Sequence, residues 1–312
     1  MRRRAWSWLS GPVLGAVLLA LGPVLSAQTV GTPTTLEFGE AVVDPSGGSI
    51  TLNPATGAIT AASGVYTDST LATTASATVA TDKGGRTATV YTTASSVTLS
   101  SGSGGAFSVS TGPFSTEYTN DQFTFPGPPS TTSSVTFHVG GTLTIPAGQV
   151  AGDYNGTLPL FIRDNVGNDS SVVNVPIHIR LIAPIALSKT QDLDMGTVIP
   201  GATAGSVTLN ATTGAQGITG GVVYASPAGQ AAQFAVTGQP SHLFSVVLGS
   251  SPITLTGPGG TMSLALLASP SGSATFSAAG TAALNVGGTL TVGANQADGD
   301  YTGTFTLTVS YP

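Results

Sequence analysis

From Thr304 to Tyr311 the chain reads TFTLTVSY. Phe305, Leu307, Val309 and Tyr311 are large and apolar, and hydroxyl side chains fill the places between them. Successive side chains of a strand point to opposite faces, so this period of two predicts a half-buried strand with the four large residues on its core side. Leu290 and Val292 alternate in the same way with Thr289, Thr291 and Gly293. Between the two runs, residues 295–300 gather Asn, Asp and Gly, which favour chain reversal. The pattern predicts strand, turn, strand, joined as a β-hairpin at the end of a sandwich sheet. No stretch beyond residue 27 places apolar residues convincingly at helical spacing.

The same text occurs twice. Val139–Thr157 and Val286–Thr304 lie 147 positions apart and share thirteen of nineteen residues. Leu36-Glu37-Phe38-Gly39 matches Leu193-Asp194-Met195-Gly196 at an offset of 157. That offset continues through Ser49–Asn53 against Ser206–Asn210, and through Thr56-Gly57-Ala58 against Thr213-Gly214-Ala215. At offset 156, Val90 meets Val246 and Val97-Thr98-Leu99 meets Ile253-Thr254-Leu255. These offsets predict two tandem β-sandwiches, residues 28–182 and 183–312. The first unit is longer by about nine residues, which places an insert at 113–134.

Two features have no counterpart in the second unit. The insert holds Tyr118, Phe123 and Phe125 in a Pro- and Ser-rich stretch. Aromatic residues on a loop of a rigid scaffold can form a binding surface, or fold back to plug the end of the sandwich. Residues 172–182 form an extra strand, with Val173, Val175, Ile177, Ile179 and Leu181 alternating with Asn174, Pro176, His178 and Arg180. Proline cannot donate to a ladder, so Pro176 suggests an edge position. The linker that follows is too short for free swinging, so the units are expected to sit closely end to end.

Residues 1–27 read as a signal peptide, with Arg2, Arg3 and Arg4 ahead of an uncharged apolar run and small residues at Ser26 and Ala27. Cleavage fits after either Ser26 or Ala27. No later stretch is long and apolar enough to span a bilayer as a helix. Secretion is therefore expected, to the periplasm, the outer surface or the medium. Beyond the leader lie all 14 acidic residues but only five of the 8 basic ones, leaving a net charge near −9. Without a basic stripe, phosphate neutralisation is excluded and nucleic acid is not an expected partner. Cysteine is absent, so the cores alone must hold the fold.

Chemistry is sparse. His138, His178 and His242 lie far apart, and none has a second His or a Cys at metal-ligand spacing. Asp192 with Asp194, or Asp298 with Asp300, offers far fewer oxygens than the six to eight that calcium takes. No Gly-x-Ser-x-Gly elbow comes with an acid and a His in a fitting order. No catalytic residue, cofactor or metal is expected.

Leu193–Gly196 (LDMG), Val286–Val292 (VGGTLTV) and Gly299–Tyr311 (GDYTGTFTLTVSY) resemble the bacterial secreted family known as domain of unknown function 4402. The second unit covers that pattern nearly end to end, and the first matches both ends. The resemblance implies immunoglobulin-like, pilin-like sandwiches and an outer-surface or fimbria-like role. The C-terminal alternating strand, with Gly299 upstream and Tyr311 penultimate, is also similar to the ends of chaperone–usher pilus subunits. That likeness implies a periplasmic chaperone and self-assembly or other surface subunits as partners, through strand addition. The N-terminal arm offers only Val30, Leu36 and Phe38 as clearly apolar residues for such an exchange. The expected function is a secreted structural or adhesive protein of the cell surface. The alternative is an extracellular module that recognises glycan or peptide through the 113–134 loop.

Overall fold

The computed structural model describes residues 28–43, 46–61, 65–170 and 172–312. The expected leader lies outside the described residues. Apart from two single 3-10 turns, the regular structure described is all β. The first unit contains β1 (Thr29–Val30), β2 (Leu36–Val43), β3 (Gly48–Leu52), β4 (Ile59–Ala61), β5 (Val65–Asp68), β6 (Ala75–Thr81) and β7 (Thr87–Tyr91). It continues with β8 (Ser96–Ser101), β9 (Ala106–Ser110), β10 (Ser115–Thr116), β11 (Gln122–Thr124), β12 (Ser133–Ile145), β13 (Gly152–Asp164) and β14 (Val173–Ile182). One sheet runs β1-β6-β12-β3-β4 and the other β11-β7-β13-β14-β2-β5.

The second unit contains β15 (Ala186–Gln191), β16 (Asp194–Leu209), β17 (Gln216–Gln230), β18 (Ala232–Thr237) and β19 (Leu243–Leu248). β20 (Ile253–Gly257), β21 (Gly260–Ser269), β22 (Gly272–Thr275), β23 (Thr281–Val292) and β24 (Leu307–Ser310) complete it. Its large sheet runs β15-β18-β23-β16-β17, and a small one runs β22-β19-β24.

Each unit has its own core. Phe38, Ile50, Leu99, Phe137, Leu143, Tyr154 and Leu158 are fully buried in the first. Val207, Phe244, Leu284 and Val286 are fully buried in the second. Burying one such side chain stabilises by roughly 1.5–3 kcal/mol. These residues come from both sheets of their unit, as the alternation along the strands requires.

Two expectations need correction. The repeated strand–turn–strand is no hairpin: β12 pairs with β3, β6 and β10, while β13 pairs with β7, β8 and β14. Likewise β23 pairs with β16, β18 and β21, whereas β24 pairs with β19. The connection is an arch that carries the chain from one sheet to the other. Alternation shows which face of a strand is apolar, and two strands facing each other across a core alternate just as two neighbours do. The second correction concerns residues 172–182. β14 lies inside its sheet, antiparallel to β13 and parallel to β2. Pro176 is tolerated there because pairing with β2 starts one residue later, at Ile177 opposite Leu36.

The recurring residues are structural anchors. A Cβ on Gly140 would lie 2.3 Å from the Leu52 carbonyl oxygen, and one on Gly287 would lie 2.2 Å from that of Leu209, so only glycine fits either place. Asn53 Oδ1 accepts from the backbone N–H groups of Ala55 and Thr56, and Asn210 Oδ1 from those of Thr212 and Thr213. The Tyr154 hydroxyl donates to the Val150 carbonyl and the Tyr301 hydroxyl to that of Ala297, each at 2.9 Å. The shared residues close the same turns and the same arch twice.

Candidate functional site: an unfilled place in the second unit

The pairing registers make the units comparable residue by residue. Ile162 stands opposite Val90, and its counterpart Val309 stands opposite Val246. Asn155 stands opposite Ser100, and Thr302 opposite Thr256. In the first unit β14 fills the space between β13 and β2. Val173, Val175, Ile177, Ile179 and Leu181 are at most 5% exposed there.

In the second unit no strand among the described residues takes that place. The counterpart of β13 is Gly299–Tyr311, and only Leu307–Ser310 of it forms a strand, paired on one side with β19. The counterpart of β2 begins at Leu193, and Asp194–Pro200 pair on one side with β17, as β2 pairs with β5. Between them lies a groove of about 1050 Å³. Leu193, Met195 and Val198 line one wall, Tyr301, Phe305 and Leu307 the other, and Leu264 and Leu290 the floor. Leu36, Tyr154 and Leu158 are fully buried, whereas their counterparts Leu193, Tyr301 and Phe305 are half-buried.

The polar rim differs too. In the first unit His178 Nδ1 lies 2.7 Å from Glu37 Oε2, and its Nε2 lies 3.5 Å from Asp153 Oδ1. Arg180 lies 3.2 Å from Glu40 and 3.8 Å from Asp153. Asp194 and Asp300, the counterparts of Glu37 and Asp153, line the rim of the groove and are exposed. Lys189 pairs with Asp192 beside them.

The insert is built into the sandwich. β10 adds to β12 and β11 adds to β7, with Phe123 opposite Ala88. Asp121 Oδ1 holds the bend by accepting from the Thr116 N–H at 2.6 Å and from the Thr116 hydroxyl at 3.0 Å. Phe125 is fully buried, Phe123 is 4% exposed and Tyr118 is half-buried. The Phe123 ring packs against Tyr118, Phe125 and Phe137, which places the three sequence-predicted residues together but turned largely inward.

Each histidine ring is taken by a carboxylate: His138 by Glu117, His178 by Glu37 and His242 by Glu40. The His242–Glu40 contact, 3.1 Å long, joins the two units. Tyr311 packs beside His242, its hydroxyl donating to the carbonyl of Ala183 at the start of the second unit and accepting from the Gln239 N–H. Burial pushes the Tyr311 phenol pKa up, opposed by the hydrogen bond from Gln239. At the matching position of the first unit stands Asp164, buried and 2.6 Å from Arg86. Burial pushes the pKa of its carboxyl up, but hydrogen bonds from Asn168 and Val166 together with the Arg86 charge outweigh it and hold the pKa below the usual carboxylate value. Among the described residues no group of three or more His, Asp or Glu gathers as a metal site. No helix among them is long and apolar enough to cross a membrane.

Fold and site together define a tandem β-sandwich protein in which, among the described residues, a strand takes this place in the first sandwich and none takes it in the second. The chain belongs to the family described as domain of unknown function DUF4402, which matches residues 28–163 and again residues 185–311. β14 lies between the two matched stretches. No curated protein matches the chain. Among solved structures, it is similar to the chaperone–tip adhesion subunit pre-assembly complex of the archaic chaperone–usher Csu pili of Acinetobacter baumannii. That likeness has 12% identity and a TM-score of 0.29, over 91% of this chain and 100% of that one. It is also similar to a chaperone–tip adhesin complex of CFA/I fimbriae, at 12% identity and a TM-score of 0.24, over 90% of this chain and 97% of that one.

Proposed function

We propose that this is a secreted bacterial cell-surface protein of structural or adhesive kind, a fimbria-like subunit that joins its assembly by strand addition and carries out no catalysis. One observation supports the reading above the others: among the described residues no strand takes, in the second unit, the place that β14 fills in the first. An edge strand beside an apolar groove gains both ladder hydrogen bonds and apolar burial when an extended segment enters. Partners of this kind include a periplasmic chaperone and other surface subunits.

The test is size-exclusion chromatography and electron microscopy of the mature protein recovered from a secreting host, with cells lacking it compared for surface fibres and attachment. Capture of a partner chain or incorporation into fibres is the expected result. A protein that stays monomeric and partnerless, with fibres and attachment unchanged in its absence, contradicts the reading.

A further inference from the structure

The acceptor pattern of enzymatic N-glycosylation, Asn-x-Ser/Thr with x other than proline, occurs three times: Asn155-Gly156-Thr157, Asn168-Asp169-Ser170 and Asn210-Ala211-Thr212. The fold treats them differently. Asn155 lies within β13, paired with His178 of β14 on one side and with Ser100 of β8 on the other. Asn168 Nδ2 donates to Asp164 Oδ2 at 3.1 Å, and Ser170 is buried with its hydroxyl oxygen accepting from the Ile162 N–H. Asn210 stands at the exposed turn between β16 and β17. Its Oδ1 accepts from the N–H groups of Thr212 and Thr213, each at 2.9 Å, which folds the side chain over the turn. Its Nδ2 has no hydrogen-bond partner among the described residues. Thr212 is exposed, its hydroxyl 2.7 Å from that of Ser269 at the surface.

The first unit supplies a contrast. Asn53 closes the same turn with the same pair of Oδ1 hydrogen bonds, but Pro54 and Ala55 follow it, so the acceptor pattern is absent there. Pro54 and Ala211 occupy equivalent places. A Cβ on Gly140 would lie 2.7 Å from the Pro54 nitrogen, and one on Gly287 would lie 2.8 Å from that of Ala211.

Resting on the reading of the chain as secreted, we propose that Asn210 is an N-glycosylation site, the acceptor of an oligosaccharide from a lipid-pyrophosphate-linked donor. A bond forms between Asn210 Nδ2 and C1 of the first sugar, and the bond from C1 to the pyrophosphate oxygen breaks. The lipid pyrophosphate leaves with the electron pair of that bond and takes up the proton that Nδ2 gives up. A transferase must enclose the asparagine and the residue two places on in one cleft. An exposed turn with a free amide nitrogen and an exposed hydroxyl can enter such a cleft in the folded protein. A strand paired on both sides cannot, nor can a turn whose amide and hydroxyl are already bonded inward.

The experiment recovers the full chain from the periplasm, surface or medium of the cells that naturally make it and maps its glycopeptides by mass spectrometry. A glycan on the peptide holding Asn210, and none on those holding Asn155 or Asn168, is the expected result. Asn210→Gln should abolish the addition. Ala211→Pro should abolish it too while keeping the asparagine and the hydroxyl, since the equivalent turn of the first unit is built with Pro54, and Thr212→Ser should retain it. Circular dichroism checks that each variant keeps its fold. An exported chain unmodified at Asn210 overturns the site and leaves secretion standing. Modification of Asn155 or Asn168 as fully as Asn210 overturns the selection by the folded turn. A chain that stays in the cytoplasm overturns the secreted reading and the site with it.

Discussion

Leu158 and Phe305 occupy the same place in two copies of one unit, as do Tyr154 and Tyr301, yet the first of each pair is sealed and the second is half-open. The side chains are of similar kind and their strands keep the same register against their neighbours. What differs is the strand beside them. β14 covers one wall with five apolar side chains, and no described strand covers the other. Burial at these positions is therefore set by a segment outside the family unit. The matched family unit does not itself include the strand that covers this wall in the first copy, and among the described residues no strand covers it in the second.

The largest effect should come from the filled side. Ile179→Ala removes a fully buried side chain and should destabilise the first unit by about 2–5 kcal/mol, read by chemical denaturation. Leu307→Ala, on the unfilled side, removes only a half-buried side chain and should cost roughly 1–2 kcal/mol in the free chain. That cost should rise towards the value for Ile179→Ala when a strand is bound. Equal costs at the two sites in the free chain would break the comparison.

Acid should separate the units. The folded pKa of Asp164 is depressed, so its network contributes stability above the ordinary carboxylate value of 3.8. That contribution is lost as pH falls through the depressed folded value. The second unit has Tyr311 at this place, so a pH series of thermal melts should show the first unit's transition falling more steeply in acid. Arg86→Ala should weaken that acid dependence by removing the charge beside Asp164. An unchanged profile in that variant would sever the assignment.

Smaller effects test the junction and the facing of the last strand. Tyr311→Phe removes the hydrogen bonds to Ala183 and Gln239 and should cost about 1 kcal/mol, with faster proteolysis between the units as a second readout. Thr308→Ala, on the outward face of β24, should stay within about 0.5 kcal/mol of the parent. A cost equal to that of Leu307→Ala would mean the strand faces the other way.

Much of this fold was legible before any coordinates. The alternation of Phe305, Leu307, Val309 and Tyr311 with hydroxyl residues matches the burial pattern, and the repeated Asn, Gly and Tyr positions mark turns that close identically twice. Sheet membership was not legible, because a period of two is the same for neighbours in one sheet and for strands facing each other across a core. The interior place of β14 was hidden by Pro176, whose missing donor matters only where a neighbour is there to accept. The groove was the least legible feature. Phe305 and Leu307 read as ordinary core residues, and Asp194 and Asp300 each as half of an unconvincing calcium pair, with Asp192 and with Asp298. The available signal was the apolar alternation of residues 172–182 directly after the first copy of the repeat, which becomes informative only once β14 is seen between two repeated strands.

Hydrogen–deuterium exchange followed by mass spectrometry on the purified chain tests the central claim most directly. Peptides covering 157–164 should be strongly protected, and those covering 304–311 should exchange much faster, slowing when a synthetic peptide with the sequence of residues 172–182 is added. Equal protection of the two segments in the free chain, unchanged by the peptide, would mean that the second unit is already complete and would contradict the account.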